Sequence, residues 1–372
     1  MKEEFCIFFD VLGTSAKFKH ITIEEEVKVL DKYEKLLEII RCEAEKIDIP
    51  KNKIKYFSDN IFVSVSKNGL KEINELLNFI SSCQVKAITE CEFVMRGAIV
   101  FNTIRNSDKV LMGKGLIEAY NEEEKAKYPW LKFNEKAINQ YDELLKRRTE
   151  EAMDKINIET RKNFDKDDNY SKIKKSITEE LIKSRVDKLR ILKIRNSGFL
   201  NYLHYIKDEK EIDYILKKHK EFIIKNLKKD LSILTEEELK LIKIKDCMYI
   251  RMFWYFAYKM HIEISRENLD FIKNNPRAEK LLWNSDESVI SNLEEEIKKG
   301  NEIRKELRKQ INPLYFKKGM RKKINNIVKI RDKYLFLAFY HNLFIDFIKE
   351  KNKEINANKN EYTIHDEEIY KK

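Results

Sequence analysis

The chain has 372 residues, 42% of them hydrophobic, and a formal net charge of +11. That is enough apolar material for two ordinary domains or for one domain with long insertions. Eight glycines and four prolines are too few for the repeated tight turns of an all-β sandwich, and they favour long helices.

Residues 4–12, EFCIFFDVL, are a short apolar run that ends at Gly13-Thr14-Ser15. This is the pattern of a buried strand followed by a tight turn. In 23–46 the apolar positions Val27, Leu30, Tyr33, Leu36, Leu37 and Ile40 recur every three or four residues, which predicts an amphipathic helix. Residues 53–58 and 60–66 read as two strands joined by a turn at Asp59-Asn60. A second helix is expected over about 69–88, a strand over 92–101 with a partner beginning at 109–112, and a helix over 115–127. The order is β-α-β-β-α-β, a ferredoxin-like split unit. Its antiparallel sheet is expected to be covered on one face by two helices.

Beyond Pro129 the composition changes. Residues 135–188 are highly charged and helical in pattern, with a polar loop at 162–172. The stretch 190–206, RILKIRNSGFLNYLHYI, predicts a strand or hairpin that rejoins the sheet. From 208 to about 353 the chain reads as helical, with breaks near Pro276 and Pro313, and 354–372 as a polar, frayed tail. The fold class expected is α+β: a ferredoxin-like βαββαβ domain over 1–206 with a helical insertion at about 135–188, a helical C-terminal region over 207–353, and the tail. The positive excess lies wholly beyond residue 134. It marks either a solvated face of lysine-rich helices or a surface for nucleic acid.

Asp10 closes the first apolar strand, and Asp59 sits in the hairpin turn. In a split βαββαβ sheet the first and third strands are central neighbours, so the end of one and the turn before the other lie side by side. Taken singly, each aspartate is an ordinary turn residue. Taken together they form a carboxylate pair suited to a hard divalent cation, Mg²⁺ or Mn²⁺. The backbone N–H groups of Gly13, Thr14 and Ser15, leading into a helix, favour an anionic triphosphate.

Phe8-Phe9-Asp10-Val11-Leu12-Gly13-Thr14-Ser15 resembles the first-strand motif of class III adenylyl and guanylyl cyclases, and Lys55-Tyr56-Phe57-Ser58-Asp59-Asn60 their second metal motif, with Ser58 where glycine is usual. Met95-Arg96-Gly97-Ala98-Ile99 resembles the next core strand. Gly113-Lys114-Gly115-Leu116-Ile117-Glu118-Ala119-Tyr120 resembles the entry to their fourth helix. The whole set is similar to a bacterial group that includes the pyrimidine nucleotide cyclases of the Pycsar anti-phage system. SGFLNYL at 197–203 and KYLFLAFYHN at 333–342 resemble later segments of that group. The resemblance covers about 4–134, 190–206 and a short C-terminal stretch. It implies two metal ions held by Asp10, Asp59 and the Val11 carbonyl, and a nucleoside triphosphate substrate, UTP or CTP. It also implies a 3′,5′-cyclic product, a homodimer with shared sites, and a separate effector protein that reads the product. Two positions depart from the class III pattern. Ile117 and Asn121 stand where an asparagine and an arginine usually serve the ribose and the transition state. Arg96 and Lys114 are the candidate replacement cations, and Tyr56 and Tyr120 could stack on a base or belong to the core.

Five cysteines without a C-x-x-C pair point to reduced, cytosolic thiols. No secretory leader pattern is expected, and the apolar runs 248–263 and 334–348 carry too many polar residues for a membrane span. The protein is expected to be cytoplasmic. Six histidines form no H-E-x-x-H motif, and neither a Walker loop nor a G-x-S-x-G elbow is present. Two other readings stay open: a cyclase fold that senses nucleotide without turnover, and a nucleic-acid-binding protein using the basic helical half. The second lacks aromatic RNA-binding motifs and zinc ligands.

Overall fold

The structure is a computed structural model. It describes residues 2–12, 14, 18, 21–47, 49–50, 53–66, 69–162, 179, 187, 190–194, 197–205, 209–229, 231, 234–274, 287–315, 320–348 and 359–370. The chain divides into two compact units, a sheet unit up to Tyr205 and a helical unit beyond it.

The sheet unit is built on β1 (Lys2–Leu12). This strand lies between β3 (Asn60–Ser66) and β4 (Val94–Asn106), antiparallel to both. Phe5, Cys6, Ile7 and Phe9 are fully buried, because a central strand is covered on both faces and needs no polar alternation. β2 (Ile54–Phe57) forms the outer edge beside β3. On the other side β6 (Leu131–Phe133), β8 (Ser197–Leu200) and β7 (Ile191–Ile194) complete the order β2-β3-β1-β4-β6-β8-β7, with β5 (Leu111–Met112) beside the end of β4. The α+β class and the βαββαβ order are those expected, and the 190–206 hairpin does rejoin the sheet.

Helix α1 (Ile23–Glu45) starts in a capping box. Thr22 and Glu25 satisfy each other's backbone N–H groups, and Glu24, Glu25 and Glu26 complement the helix dipole. Helix α2 (Leu70–Cys91) packs against α1, β3 and β4. Helix α3 (Lys114–Glu124) lies on β1 and β4, where Ala119 joins Cys6, Phe8, Phe62, Val100 and Ile104 in one apolar cluster. The residues of β1 in this cluster are the even ones. Phe5, Ile7 and Phe9 therefore point to the opposite face, and the sheet is covered on both sides. This corrects the one-sided expectation. A second correction is β6, which pairs parallel to β4, so the sheet is mixed. Three residues are too few for a visible period. Helix α4 (Glu135–Lys162) opens the charged insertion, and most of 163–189, including the expected loop, lies outside the described residues.

The helical unit contains α5 (Glu209–Lys228), α6 (Glu236–Asn274), α7 (Glu287–Tyr315), α8 (Met320–Ile348), α9 (Lys359–Tyr362) and α10 (Asp366–Tyr370). α6 ends before Pro276 as expected, whereas α7 runs two residues past Pro313. The expected frayed tail is corrected over 359–370. Tyr362, Ile364 and Ile369 are buried, the Tyr362 hydroxyl donates to Asp213 at 2.6 Å, and the Tyr370 hydroxyl donates to Asp246 at 2.6 Å. Asp246 also pairs with the buried Arg331 at 2.6 Å, an interaction whose one-sided removal costs about 3–5 kcal/mol. No helix among the described residues is long and apolar enough to cross a membrane.

His219 of α5 and His341 of α8 are both fully buried with stacked rings, and their Nδ1 atoms are 3.1 Å apart. His341 Nε2 lies 2.9 Å from the Tyr362 carbonyl oxygen, which can only accept. His341 therefore carries its proton on Nε2, and its Nδ1 accepts from His219. Burial depresses both pKa values, that of His341 to about 4. A depressed histidine leaves the unfolded chain holding more protons in acid. The stability contribution is thus intact above about pH 6.5 and is lost as pH falls toward 4. Calorimetric melting of the full chain between pH 7.5 and 4.5 is expected to show this loss, and a His219→Gln/His341→Gln variant is expected to show a shallower slope. Equal slopes would refute the assignment.

Candidate functional site

The turn between β2 and β3 falls at Ser58-Asp59, one residue earlier than expected, since Asn60 is already paired with Phe57. Asn60 also stands opposite Asp10 in the β1–β3 ladder. The Val11 N–H donates to the Asp59 carbonyl at 3.2 Å. The end of β1 and the hairpin turn are thereby fastened together, and Asp10 and Asp59 come to one edge of the sheet. The Thr14 hydroxyl donates to Asp59 Oδ2 and stands 2.9 Å from the Val11 carbonyl oxygen. Thr14 begins helical backbone, as its carbonyl accepting from the Phe18 N–H shows. Gly13 and Ser15 lie outside the described residues.

Burial, then the charge of Asp59, then that of Glu123, lift the Asp10 carboxyl to about 6, against the opposing pull of Arg96. The available donors are two carboxylates and a main-chain carbonyl, all hard oxygens that suit Mg²⁺ or Mn²⁺. No group of three or more His, Cys, Asp or Glu side chains among the described residues could hold a metal. That is compatible with Mg²⁺, which commonly takes one or two carboxylates and completes its shell from water and substrate phosphate. The residues present fit such an ion.

Arg96 stands directly across β4 from Asp10. Its Nη2 reaches Asp10 Oδ2 at 3.5 Å, and its Nε lies 2.7 Å from Glu123 Oε1. Arg96 is therefore in the site and already engaged. Lys114 is not brought there. It is exposed at the first turn of α3, beside Gly115, which sits on Cys6 and the Asn102–Thr103 backbone. Glu123, nine residues further along α3, is the part of that helix nearest Asp10, and the helical rise separates the two by roughly 13 Å. Ile117 and Asn121 are exposed. Tyr120 sits on the Asp10 side of the sheet, edge-on to Phe8 at 5.6 Å and 46% exposed. Tyr56 lies on the outer strand under the Arg41 guanidinium.

Two contributors escaped the sequence reading. Tyr33 of α1 donates its hydroxyl to the Ser58 carbonyl, and burial followed by the charges of Asp59 and Asp10 raises it to about 12. Its helical spacing marks it only as apolar. Glu123 reads as one of three consecutive surface glutamates, yet it is 3% exposed.

No protein-family model matches the chain, and no curated protein sequence matches it. Solved structures resemble part of it. The monomeric guanylyl cyclase domain of the RhoGC fusion protein from the aquatic fungus Blastocladiella emersonii is 11% identical over 38% of this chain and 86% of its own, with a TM-score of 0.31. The adenylyl cyclase CyaB from P. aeruginosa is 12% identical over 39% and 83%, with a TM-score of 0.30. The guanylate cyclase domain of RhGC from Catenaria anguillulae in complex with GTP is 11% identical over 37% and 81%, with a TM-score of 0.30.

Ser58 has φ 57°, the left-handed region that favours glycine. Ser58→Gly is expected to stabilise the chain by about 0.5–1 kcal/mol, the left-handed penalty less the added backbone freedom of glycine. Denaturant unfolding measures it, and a destabilised variant would contradict the strain argument.

Proposed function

We propose that this chain is a nucleotidyl cyclase that converts a nucleoside triphosphate to a 3′,5′-cyclic nucleotide and pyrophosphate. One observation carries the reading: Asp10 and Asp59, 49 positions apart in the sequence, are fastened at one sheet edge by the Val11 N–H to Asp59 carbonyl bond. Gly13-Thr14-Ser15, which follow Asp10 closely in the sequence, are residues whose N–H groups would suit a triphosphate. Asp10, Asp59 and the Val11 carbonyl are the ligands for two Mg²⁺ or Mn²⁺ ions. When bound, the ions supply acidification of the ribose 3′-hydroxyl and neutralisation of the triphosphate and leaving pyrophosphate. The chain's own residues orient this set. Thr14 fixes one oxygen of Asp59, Tyr33 braces the turn through the Ser58 carbonyl, and Arg96 stands beside the Asp10 carboxylate. Gly13, Thr14 and Ser15 receive the triphosphate on their amides. Tyr120, 46% exposed on the Asp10 side of the sheet, is available as a base platform.

The finer reading rests on the sequence motifs alone. The substrate is UTP or CTP, the enzyme acts as a homodimer, and the cyclic product is a signal in anti-phage defence read by a separate effector protein. Binding without turnover is the second reading. It is favoured by the exposed, uncharged Ile117 and Asn121, which offer no cation to the transition state. A nucleic-acid partner for the basic half has no comparable support.

Purified protein incubated with each of ATP, GTP, CTP and UTP plus Mn²⁺ is expected to give a cyclic monophosphate of one pyrimidine, with pyrophosphate released. Binding of a triphosphate with no product from any would favour the sensor. Asp59→Ala is expected to lower turnover by about 100-fold or more with an unchanged circular dichroism spectrum, since a turn carboxylate supports no core contact. Full activity in that variant would remove Asp59 from the mechanism.

A further inference from the structure

Arg96 has three contacts, and they are unequal. Its Nε lies 2.7 Å from Glu123 Oε1, its Nη1 donates to the Ala126 carbonyl at 3.2 Å, and its Nη2 reaches Asp10 Oδ2 at 3.5 Å. The first is a close ion pair whose geometry is not that of a hydrogen bond, the second is a hydrogen bond, and the third is at the limit of one. The guanidinium is thus held toward the C-terminal end of α3 and slightly off Asp10. The Glu123 side chain is only 5% exposed, against 26% for Arg96 and 17% for Asp10. Glu123 is the better desolvated of the two carboxylates that compete for one cation, so its attraction is less screened by water.

Backbone geometry does not keep Arg96 away from Asp10. The two residues are direct cross-strand partners in the β1–β4 ladder, the arrangement in which opposite charges meet most readily. What holds the contact open is the competing carboxylate on α3. A carboxylate fully paired with a guanidinium has both its charge and its lone pairs committed, and it is a poorer ligand for a divalent cation.

We propose that Glu123 is a positioning residue: it withholds Arg96 from Asp10 and so keeps the Asp10 carboxylate open to a divalent cation. This rests on Asp10 and Asp59 being metal ligands, and it names what sets the affinity of that site. Glu123 would touch neither substrate nor metal. Its effect passes through the position of the Arg96 guanidinium.

The test is direct binding of Mn²⁺ to the full chain without nucleotide, followed by electron paramagnetic resonance of the free ion. Glu123→Gln keeps the shape and an acceptor for Arg96 but removes the charge. It is expected to weaken Mn²⁺ binding about tenfold, the scale of one charge-assisted contact closing at Asp10. Adding Arg96→Gln to that variant removes the competing cation and is expected to restore wild-type affinity or better. Thermal melting by circular dichroism confirms that both variants are folded at the assay temperature. Unchanged affinity in a folded Glu123→Gln variant would overturn the proposal. Equal weakening in the single and double variants would overturn it too, because the loss would then not pass through Arg96. Asp59→Ala separates the two readings. If wild type binds Mn²⁺ and Asp59→Ala binds it weakly, the metal site stands whatever Glu123 does. If wild type binds none, the metal site and this proposal fall together.

Discussion

The site depends on the register of β1 between its two neighbours. With Asp10 opposite Asn60 on one side and Arg96 on the other, every even residue of the strand faces α3 and every odd one faces the opposite layer. A slip of one residue would put Phe9 at the position of Asp10 and turn the carboxylate to the other side. That slip is prevented by volume as much as by hydrogen bonds. Phe5, Ile7 and Phe9 fill one layer, and Cys6 and Phe8 fill the other. Gly97 fixes the register at its most crowded point, because a Cβ there would stand 2.4 Å from the Phe8 carbonyl oxygen and 2.7 Å from Phe9 Cβ. The apolar core therefore aims the acidic pair, and it does so with residues that take no part in the chemistry.

Three carboxylates share one guanidinium around that pair. Asp59 and Asp10 repel, Arg96 stands beside Asp10, and Glu123 stands beyond Arg96. The half-buried guanidinium stands between the two carboxylates, closer to Glu123 at 2.7 Å than to Asp10 at 3.5 Å. The consequence is a pair of aspartates whose negative charge is only partly answered from within the protein. The Asp10 carboxyl is raised first by burial and then by the charges of Asp59 and Glu123. A divalent cation at the same place would favour the ionised carboxylate.

Much of this was legible in the sequence, and the parts that were not share a physical reason. The strand ending at Asp10, the hairpin at Asp59 and the helices between them announce themselves by period and by turn residues, which are local signals. The three-residue β6 has no period to read. The second covered face was missed because α3 looks like a polar surface helix, with Ala119, Gly115 and Leu116 its main inward-facing small or apolar residues. Glu123 is buried only because Arg96 comes to it from a strand 27 positions earlier, and no local pattern encodes such a pairing. Lys114 was drawn in by its glycine neighbours, but helix length places it at the wrong end. The docked segment 359–370 was read as a tail because it is rich in charge. Its anchors are single residues, Tyr362, Ile364, Ile369 and Tyr370, that find their partners on α5, α6 and α8.

The positions that depart from the cyclase pattern bear on the proposed reaction through charge. Ile117 is 62% exposed and Asn121 lies one turn further along the same face of α3, so those two positions deliver no cation to anything laid against them. Were a second copy to complete the site with its own α3, it would bring the same two uncharged side chains. Arg96 is spoken for by Glu123 and the Ala126 carbonyl, and Lys114 is a helix length away. In the proposed reaction the negative charge that develops on the phosphates during displacement would then be answered chiefly by the metal ions. Such a site stabilises its transition state through ions it must recruit, and its rate would follow their occupancy more closely than in an enzyme that owns an arginine for the task. On this view the affinity of Asp10 for its cation, and whatever tunes that affinity, is the quantity that decides whether the chain is an enzyme or only binds nucleotide.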